Sequence, residues 1–139
     1  MSLRLLRAEL PEPPVPLPAR RRWRDKFGEA WRGVKLGIRG QSSFFVHFFT
    51  ATLVIVAAIT FQCELLEWCV LVGCIGLVMV AELFNSAVET LFRGLDQASR
   101  DKHHGALHIA AGAVLVASTI AALVGTIVLG HRLWLMFGL

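Results

Sequence analysis

The chain has 139 residues, of which 55% are hydrophobic, and it carries fourteen Lys and Arg against ten Asp and Glu. A mean hydropathy of +0.62 excludes an ordinary small soluble domain and favours one compact membrane domain. The three cysteines, Cys63, Cys69 and Cys74, form no CxxC pair and lack zinc-type spacing, so we expect from them neither a disulfide nor a metal centre.

Positive charge is concentrated in the first 40 residues, which hold ten of the fourteen Lys and Arg, including the run RRRWRDK. A basic block of this kind can bind nucleic acid. This one directly precedes apolar segments, so we expect it to meet anionic headgroups at the cytoplasmic face, with no nucleic-acid partner. Residues 1–19 include PEPPVPLP, which disfavours a helix, and we expect a disordered tail there. The membrane domain is then predicted over residues 20–139, without a cleaved signal peptide.

Residues 20–40 show the periodicity of a helix with one apolar face. Apolar side chains recur at steps of three and four residues, with Arg and Lys on the other faces: Trp23, Phe27, Trp31, Val34 and Ile38. This pattern is typical of an amphipathic helix that lies on the membrane surface. A soluble helix packed on a core is the alternative, but no soluble core remains to receive it.

Three apolar segments follow, each close to the roughly 20 residues that cross a bilayer. They cover about residues 44–61, 69–95 and 105–130, and His47 is the polar interruption of the first. The third is rich in small residues, which allow close helix packing. The predicted fold class is therefore an all-α membrane protein with three transmembrane helices and an N-terminal amphipathic surface helix.

The loops between the segments predict the orientation. The first loop, QCELLEW, contains acids and no Lys or Arg, whereas the second, which includes SRDKHHG, contains Arg93, Arg100 and Lys102. Because basic loops stay on the cytoplasmic side, the N-terminus is expected inside and the C-terminus outside.

Carboxylates and an amide appear at the end of the second apolar segment, in AELFNSAVETLFRGLD. On one helix Glu82, Asn85, Glu89, Arg93 and Asp96 lie within a sector of roughly 80°. An ionised carboxylate in hydrocarbon is costly, so this stripe should face a partner helix or a wet cleft. Glu82 and Glu89 are about 10 Å apart along the axis, too far to hold one metal ion directly, so we predict separate roles. A structural clamp between helices is the alternative, as is simple extension of Glu89 to the interface.

The segment AELFNSAVET resembles the E-x-x-N-[ST]-A-x-E motif of the prokaryotic diacylglycerol kinase and undecaprenol kinase family. AWRGVKLGIRGQSSFFVHFFTA is similar to the block before that family's first span, and AAGAVLVAS to the start of its third. The spacing between the three blocks fits without insertions, and the resemblance covers roughly residues 20–138.

The resemblance implies a lipid kinase of the bacterial inner (plasma) membrane that transfers the γ-phosphate of ATP to diacylglycerol or undecaprenol. It implies a homotrimer with active sites between subunits at the cytoplasmic interface. On matched positions, Glu82 is the general base toward the lipid hydroxyl and Glu89 is the Mg²⁺ ligand near the nucleotide phosphates. Asn85 organises the site, and Arg22 helps to hold substrates.

The chain also departs from the family pattern. Gln41 stands where the family has a second metal-ligating Glu, and a carboxylate near His47 is missing. Three further positions differ: Arg93 replaces an acidic residue, and Leu107 and His108 replace a Lys-Asp pair. A catalytically impaired member that acts as a trimeric scaffold or lipid-binding protein is therefore the second hypothesis. A proton- or ion-conducting oligomer using Glu82 is a third.

Overall fold

The structure is a computed structural model that describes residues 22–39 and 41–138. These residues form four helices, α1 (Trp23–Ile38), α2 (Ser42–Thr60), α3 (Leu65–Arg93) and α4 (Gln97–Phe137), and no strand occurs among them. The last three are long and apolar enough to cross a membrane. The predicted all-α membrane fold, with three spans after an amphipathic helix, is therefore confirmed. The tail predicted at residues 1–19 lies outside the described residues.

The chain divides after Trp31 into two compact units, and α1 begins in the first. The carbonyl of Arg22 accepts hydrogen bonds from the backbone N–H groups of Asp25 and Lys26, which starts the helix. The Lys26 ammonium lies 4.9 Å from the centre of the Trp23 ring. Trp23 and Trp31 are 74% and 61% exposed, as expected of the apolar face of a helix that lies on a membrane surface.

The second unit contains the end of α1 and the three long helices, with α3 packed along α4 and α2 packed against α3. Its few buried apolar side chains are Phe44, Ala58, Leu71, Val78 and Ala117. Most other large apolar side chains are exposed, as expected when lipid replaces water around a helix. Gly37 permits a close approach between α1 and α3, because a Cβ there would lie 2.7 Å from Cδ2 of Leu83.

The helices α3 and α4 both begin before the apolar segments predicted for them, and α3 ends at Arg93 rather than near residue 95. α3 begins at Leu65 because Glu64 caps it, accepting from the backbone while Glu67 accepts from the N–H of Glu64. α4 begins at Gln97, so the interpretation of SRDKHHG as a loop is wrong, and Asp96 leaves the stripe of α3 to become the N-cap of α4. At 41 residues α4 is about 60 Å long, roughly twice the hydrocarbon thickness of a bilayer.

The turn between α3 and α4 is held by side chains of its own. Asp96 accepts a hydrogen bond from the N–H of Ser99 at 3.3 Å. Arg100 donates from Nε to the carbonyl of Leu95 at 3.0 Å and from Nη2 to that of Arg93 at 2.6 Å. These bonds satisfy backbone groups that the two helix ends leave open.

The pKa of Asp96 should make the start of α4 sensitive to acid. Its hydrogen bonds with Ser99 hold the pKa of Asp96 below its ordinary value. A lowered folded-state pKa stabilises the cap above the unfolded value of about 3.9, and that contribution is lost as pH falls through the folded value. We expect lower protection from amide hydrogen exchange, relative to the intrinsic rate at the same pH, in the first turn of α4 below about pH 4. Asp96→Asn should show no such acid-induced change, and equal acid sensitivity in both proteins would contradict the assignment.

At the other end of the pair, Arg132 of α4 joins the N-terminus of α3. Its Nη2 lies 2.7 Å from Oε1 of Glu64, and its Nε donates to Oε2 of Glu67 at 2.6 Å. The Arg132 and Glu67 side chains are only 16% and 20% exposed, so water screens this contact poorly. The arrangement fixes the register of α4 against α3.

Replacing Arg132 with Met is expected to destabilise the folded protein and to shift its unfolding to a lower detergent fraction, because Glu67 loses a charged hydrogen-bond donor. Unfolding by sodium dodecyl sulfate in mixed micelles would measure it. Arg24→Met, which removes an exposed guanidinium from α1, is the control. Equal unfolding midpoints for the two variants would show that the contact does not stabilise the helix pair.

Candidate active site

Glu82 is buried where α3 packs against the first turns of α2. Its side chain is 3% exposed, although it is a carboxylate in a helix that can span a membrane. Ser43 and His47 lie four residues apart on α2, so they share one face of that helix. The Ser43 hydroxyl donates to Oε1 of Glu82, and Nε2 of His47 lies 3.7 Å from Oε2. The polar stripe of α3 therefore faces a partner helix here.

Glu89 lies two helical turns further along α3 and has a different environment. Gln41 Nε2 donates to its Oε2 at 3.1 Å, and Asn85 Nδ2 donates to its Oε1 at 3.0 Å. Nη2 of Arg93, one turn on, is 3.8 Å from the same carboxylate. The Glu89 side chain is 36% exposed, so this second carboxylate is accessible to a soluble ligand.

The start of α2 thus contacts both carboxylates of α3. Gln41 is the N-cap residue of α2, with an extended backbone, and its side chain reaches Glu89 rather than capping its own helix. Ser43 and His47 follow at the depth of Glu82. One short segment of α2 therefore sets the environment of two carboxylates about 10 Å apart along α3.

Of the four predicted site residues, the structure brings three into one region of the second unit. Glu82, Asn85 and Glu89 lie on one face of α3, and Asn85 contacts Glu89 directly. Arg22 belongs to the first unit and has an exposed side chain, so its role as a substrate contact stays a prediction.

Ser43 was missed by the sequence reasoning, and His47 and Gln41 were noted without their partners. A serine in the first turn of a helix is common for reasons of local capping, so Ser43 alone carried no signal. The available signal was the spacing of Ser43 and His47, two polar residues on one face of an otherwise apolar span.

Leu107 and His108, which stand where the resemblance implies a Lys-Asp pair, lie on α4. The His104 and His108 rings are 5.5 Å apart, and the Phe92 ring of α3 meets His104 edge-on at 5.6 Å. The contact between Phe92 and His104 packs the start of α4 against the end of α3. Leu107, which directly precedes His108 in the sequence, is half-buried.

The residues around Glu89 carry oxygens of the kinds that bind Mg²⁺. Carboxylate and amide oxygens are ligands suited to Mg²⁺, and Glu89, Gln41 and Asn85 carry both kinds. Within the described ranges, no group of three or more His, Cys, Asp or Glu residues could enclose a metal. Mg²⁺ commonly binds through one or two carboxylates together with substrate phosphates and water, so one carboxylate with neighbouring amides is sufficient.

An apolar cleft of about 480 Å³ lies between α2, α3 and α4. Its walls include Val54, Leu71, Ile75 and Leu129, and His47 is one of its few polar lining residues. Because His47 also approaches Glu82, the cleft adjoins the buried carboxylate. A hydrocarbon chain is the kind of ligand that such walls accommodate.

Together these features define an all-α membrane protein with a two-carboxylate site between its first two spanning helices. The sequence model of the prokaryotic diacylglycerol kinases matches residues 28–129, well over half of the chain. The chain belongs to the prokaryotic diacylglycerol kinase family.

Two relatives agree with this assignment. A diacylglycerol kinase from Synechocystis sp. is 37% identical over 103 residues, which cover 71% of this chain and 57% of the relative. An undecaprenol kinase from Bacillus subtilis is 30% identical over 106 residues, which cover 73% of this chain and 83% of the relative. The chain thus spans little more than half the length of the Synechocystis protein. No solved structure gave a significant match.

Proposed function

We propose that this protein is a lipid kinase that transfers the γ-phosphate of ATP to a membrane lipid alcohol, diacylglycerol or undecaprenol. Family membership and the names of both relatives support this activity. The single observation that carries it is the buried Glu82 carboxylate, held by Ser43 beside an apolar cleft. That site offers a base to a hydroxyl group whose hydrocarbon chains stay in lipid.

In the proposed reaction Glu82 accepts the proton of the lipid hydroxyl. The lipid oxygen forms a bond to the γ-phosphorus, the bond between that phosphorus and the bridging oxygen breaks, and ADP leaves. Ser43 holds one carboxylate oxygen, which leaves Oε2 as the basic atom. Positioning and charge neutralisation supply most of the catalysis in phosphoryl transfer, so few residues suffice.

Glu89 is the proposed ligand for the nucleotide's magnesium, with Asn85 and Gln41 orienting its carboxylate through their amides. Bound Mg²⁺ supplies charge neutralisation on the phosphate oxygens. Arg93 adds a positive charge beside the same carboxylate, at the accessible end of the site. Arg22 is proposed to help hold substrates.

We further propose that the protein lies in the bacterial inner (plasma) membrane with its N-terminus in the cytoplasm and assembles as a homotrimer. The basic first 40 residues support this orientation, since cytoplasmic loops carry excess Lys and Arg. The many exposed apolar side chains of α2, α3 and α4 leave surface available for neighbouring subunits and lipid.

The proposal is tested by transfer of radiolabelled γ-phosphate from Mg-ATP into lipid, with purified protein in mixed micelles. Parallel assays with diacylglycerol and with undecaprenol identify the acceptor. Labelling no higher than that of Glu82→Gln, with both alcohols, would contradict the activity and favour the trimeric scaffold or lipid-binding protein.

A further inference from the structure

Glu82 has two partners on α2, and each faces a different carboxylate oxygen. Ser43 donates to Oε1, while the imidazole Nε2 of His47 lies 3.7 Å from Oε2. This second distance is longer than a hydrogen bond. Catalytic contacts commonly tighten when substrate binds, so the pair is within reach of direct proton transfer. The basic oxygen of Glu82 is thus the one that faces an imidazole.

A buried base needs a route for its proton. Glu82 is 2% exposed, so a proton taken from a lipid hydroxyl cannot pass directly to bulk water. Its Ser43 partner already donates to Oε1 and is a poor proton acceptor. The His47 side chain is 19% exposed and lines the cleft between α2, α3 and α4, so it connects the carboxylate with a more open space.

We propose that His47 is a positioning and proton-relay residue of the kinase reaction, taking the proton from Glu82 after each phosphoryl transfer. The inference rests on the proposed function of Glu82. In this step Oε2 of Glu82 loses the proton that it gained from the lipid hydroxyl, and Nε2 of neutral His47 gains that proton. The imidazolium then releases that proton to water at the exposed edge of the His47 side chain, and both groups return to their starting states.

The surroundings of His47 are consistent with this exchange. Glu82 on α3 is the titratable group in contact with it. The residues of α4 that line the same cleft are uncharged, among them Ser118, Ala121 and Ala122. On α2 itself, Thr50 also lines the cleft, and its hydroxyl donates to the carbonyl of Val46. The described residues that line the cleft include no Lys or Arg, so a proton on His47 meets the negative charge of Glu82 and no competing cation among them.

The test is the pH dependence of kcat, measured at saturating ATP and lipid, for the wild type and His47→Gln. The relay requires the neutral imidazole, because only that form can accept the proton of Glu82. The wild type should therefore lose turnover toward acid pH. His47→Gln should have kcat lowered by roughly tenfold or more, with KM for lipid little changed and the acid limb absent.

Chemical rescue provides a second readout that packing alone does not move. Removal of the ring in His47→Ala leaves space at the cleft, and added imidazole should restore turnover, more at pH 7.5 than at pH 5.5. Thr52→Val is the matched control on the same helix, because the exposed Thr52 donates its hydroxyl to the carbonyl of Phe48 and does not line the cleft, and it should keep the wild-type profile. Circular dichroism establishes that each variant is helical, and His47→Asn replaces any variant that fails to fold.

Wild-type kcat and acid limb in His47→Gln would overturn the relay, as would lowered kcat with an unchanged acid limb and no rescue by imidazole. Failure of the proposed function looks different, since the wild type would then not label lipid or Glu82→Gln would label it equally well. An active wild type, an inactive Glu82→Gln and a wild-type-like His47→Gln would reject the relay alone.

Discussion

Replacing Glu82 with Gln is expected to lower lipid phosphorylation by roughly 10²–10⁴-fold, the usual contribution of a general base. The amide has nearly the shape of the carboxylate, and its oxygen can still accept the hydrogen bond from Ser43. It cannot take a proton from the lipid hydroxyl at neutral pH. Turnover should therefore fall while the helices remain folded, and labelled phosphate transfer at saturating substrates measures the loss.

The matched control is Glu64→Gln, the same change at a carboxylate that is 77% exposed at the opposite end of α3. It removes one contact with Arg132 and should leave kcat within about twofold, since it lies far from the site along the helix. If Glu82→Gln kept more than a tenth of wild-type turnover, Glu82 would not be the base.

The second large effect is expected at the accessible carboxylate. Glu89→Gln should lower kcat/KM for Mg-ATP by roughly 10²-fold, because it removes the negative charge proposed to face the metal. It also sets one amide N–H group of residue 89 against a neighbouring amide donor of Gln41 or Asn85. The KM for the lipid alcohol should change little. Initial rates over a matrix of ATP and Mg²⁺ concentrations separate the two effects.

Gln41→Glu is the informative companion, since it introduces a second carboxylate whose terminal oxygens lie close to Oε2 of Glu89. Two carboxylates at this distance repel each other until a divalent cation binds between them. We expect the half-saturating Mg²⁺ concentration to fall by roughly tenfold, with lower stability when the metal is chelated. If the Mg²⁺ dependence is unchanged in both Glu89→Gln and Gln41→Glu, Glu89 is not part of the proposed nucleotide site.

The helices and the polar stripe were predictable because both depend on spacing along one segment. The three- and four-residue periodicity placed the amphipathic helix, and the spacing of Glu82, Asn85 and Glu89 predicted a shared face. These features need only the geometry of a single helix, which local sequence determines.

The partners across the helix pair were not predictable in the same way. Which residues of α2 meet Glu82 and Glu89 depends on how far α2 slides along α3, and packing sets that register. The start of α4 was misjudged for a different reason. The charged segment SRDKHHG leaves the apolar pattern, but it contains no Pro and follows a good N-cap at Asp96, so the helix simply continues through it.

The two-turn spacing of the carboxylates has a consequence for which lipids a kinase of this design would accept. A helix is rigid, so Glu82 and Glu89 are held at two levels about 10 Å apart along its axis. The buried Glu82 would accept a hydroxyl that stays near the hydrocarbon, as in a lipid with a bare alcohol in place of a headgroup. A bulky sugar or phosphate headgroup would hold its hydroxyls above the level of Glu82. Selection would then depend on the depth of the reacting oxygen more than on the shape of the chains below it.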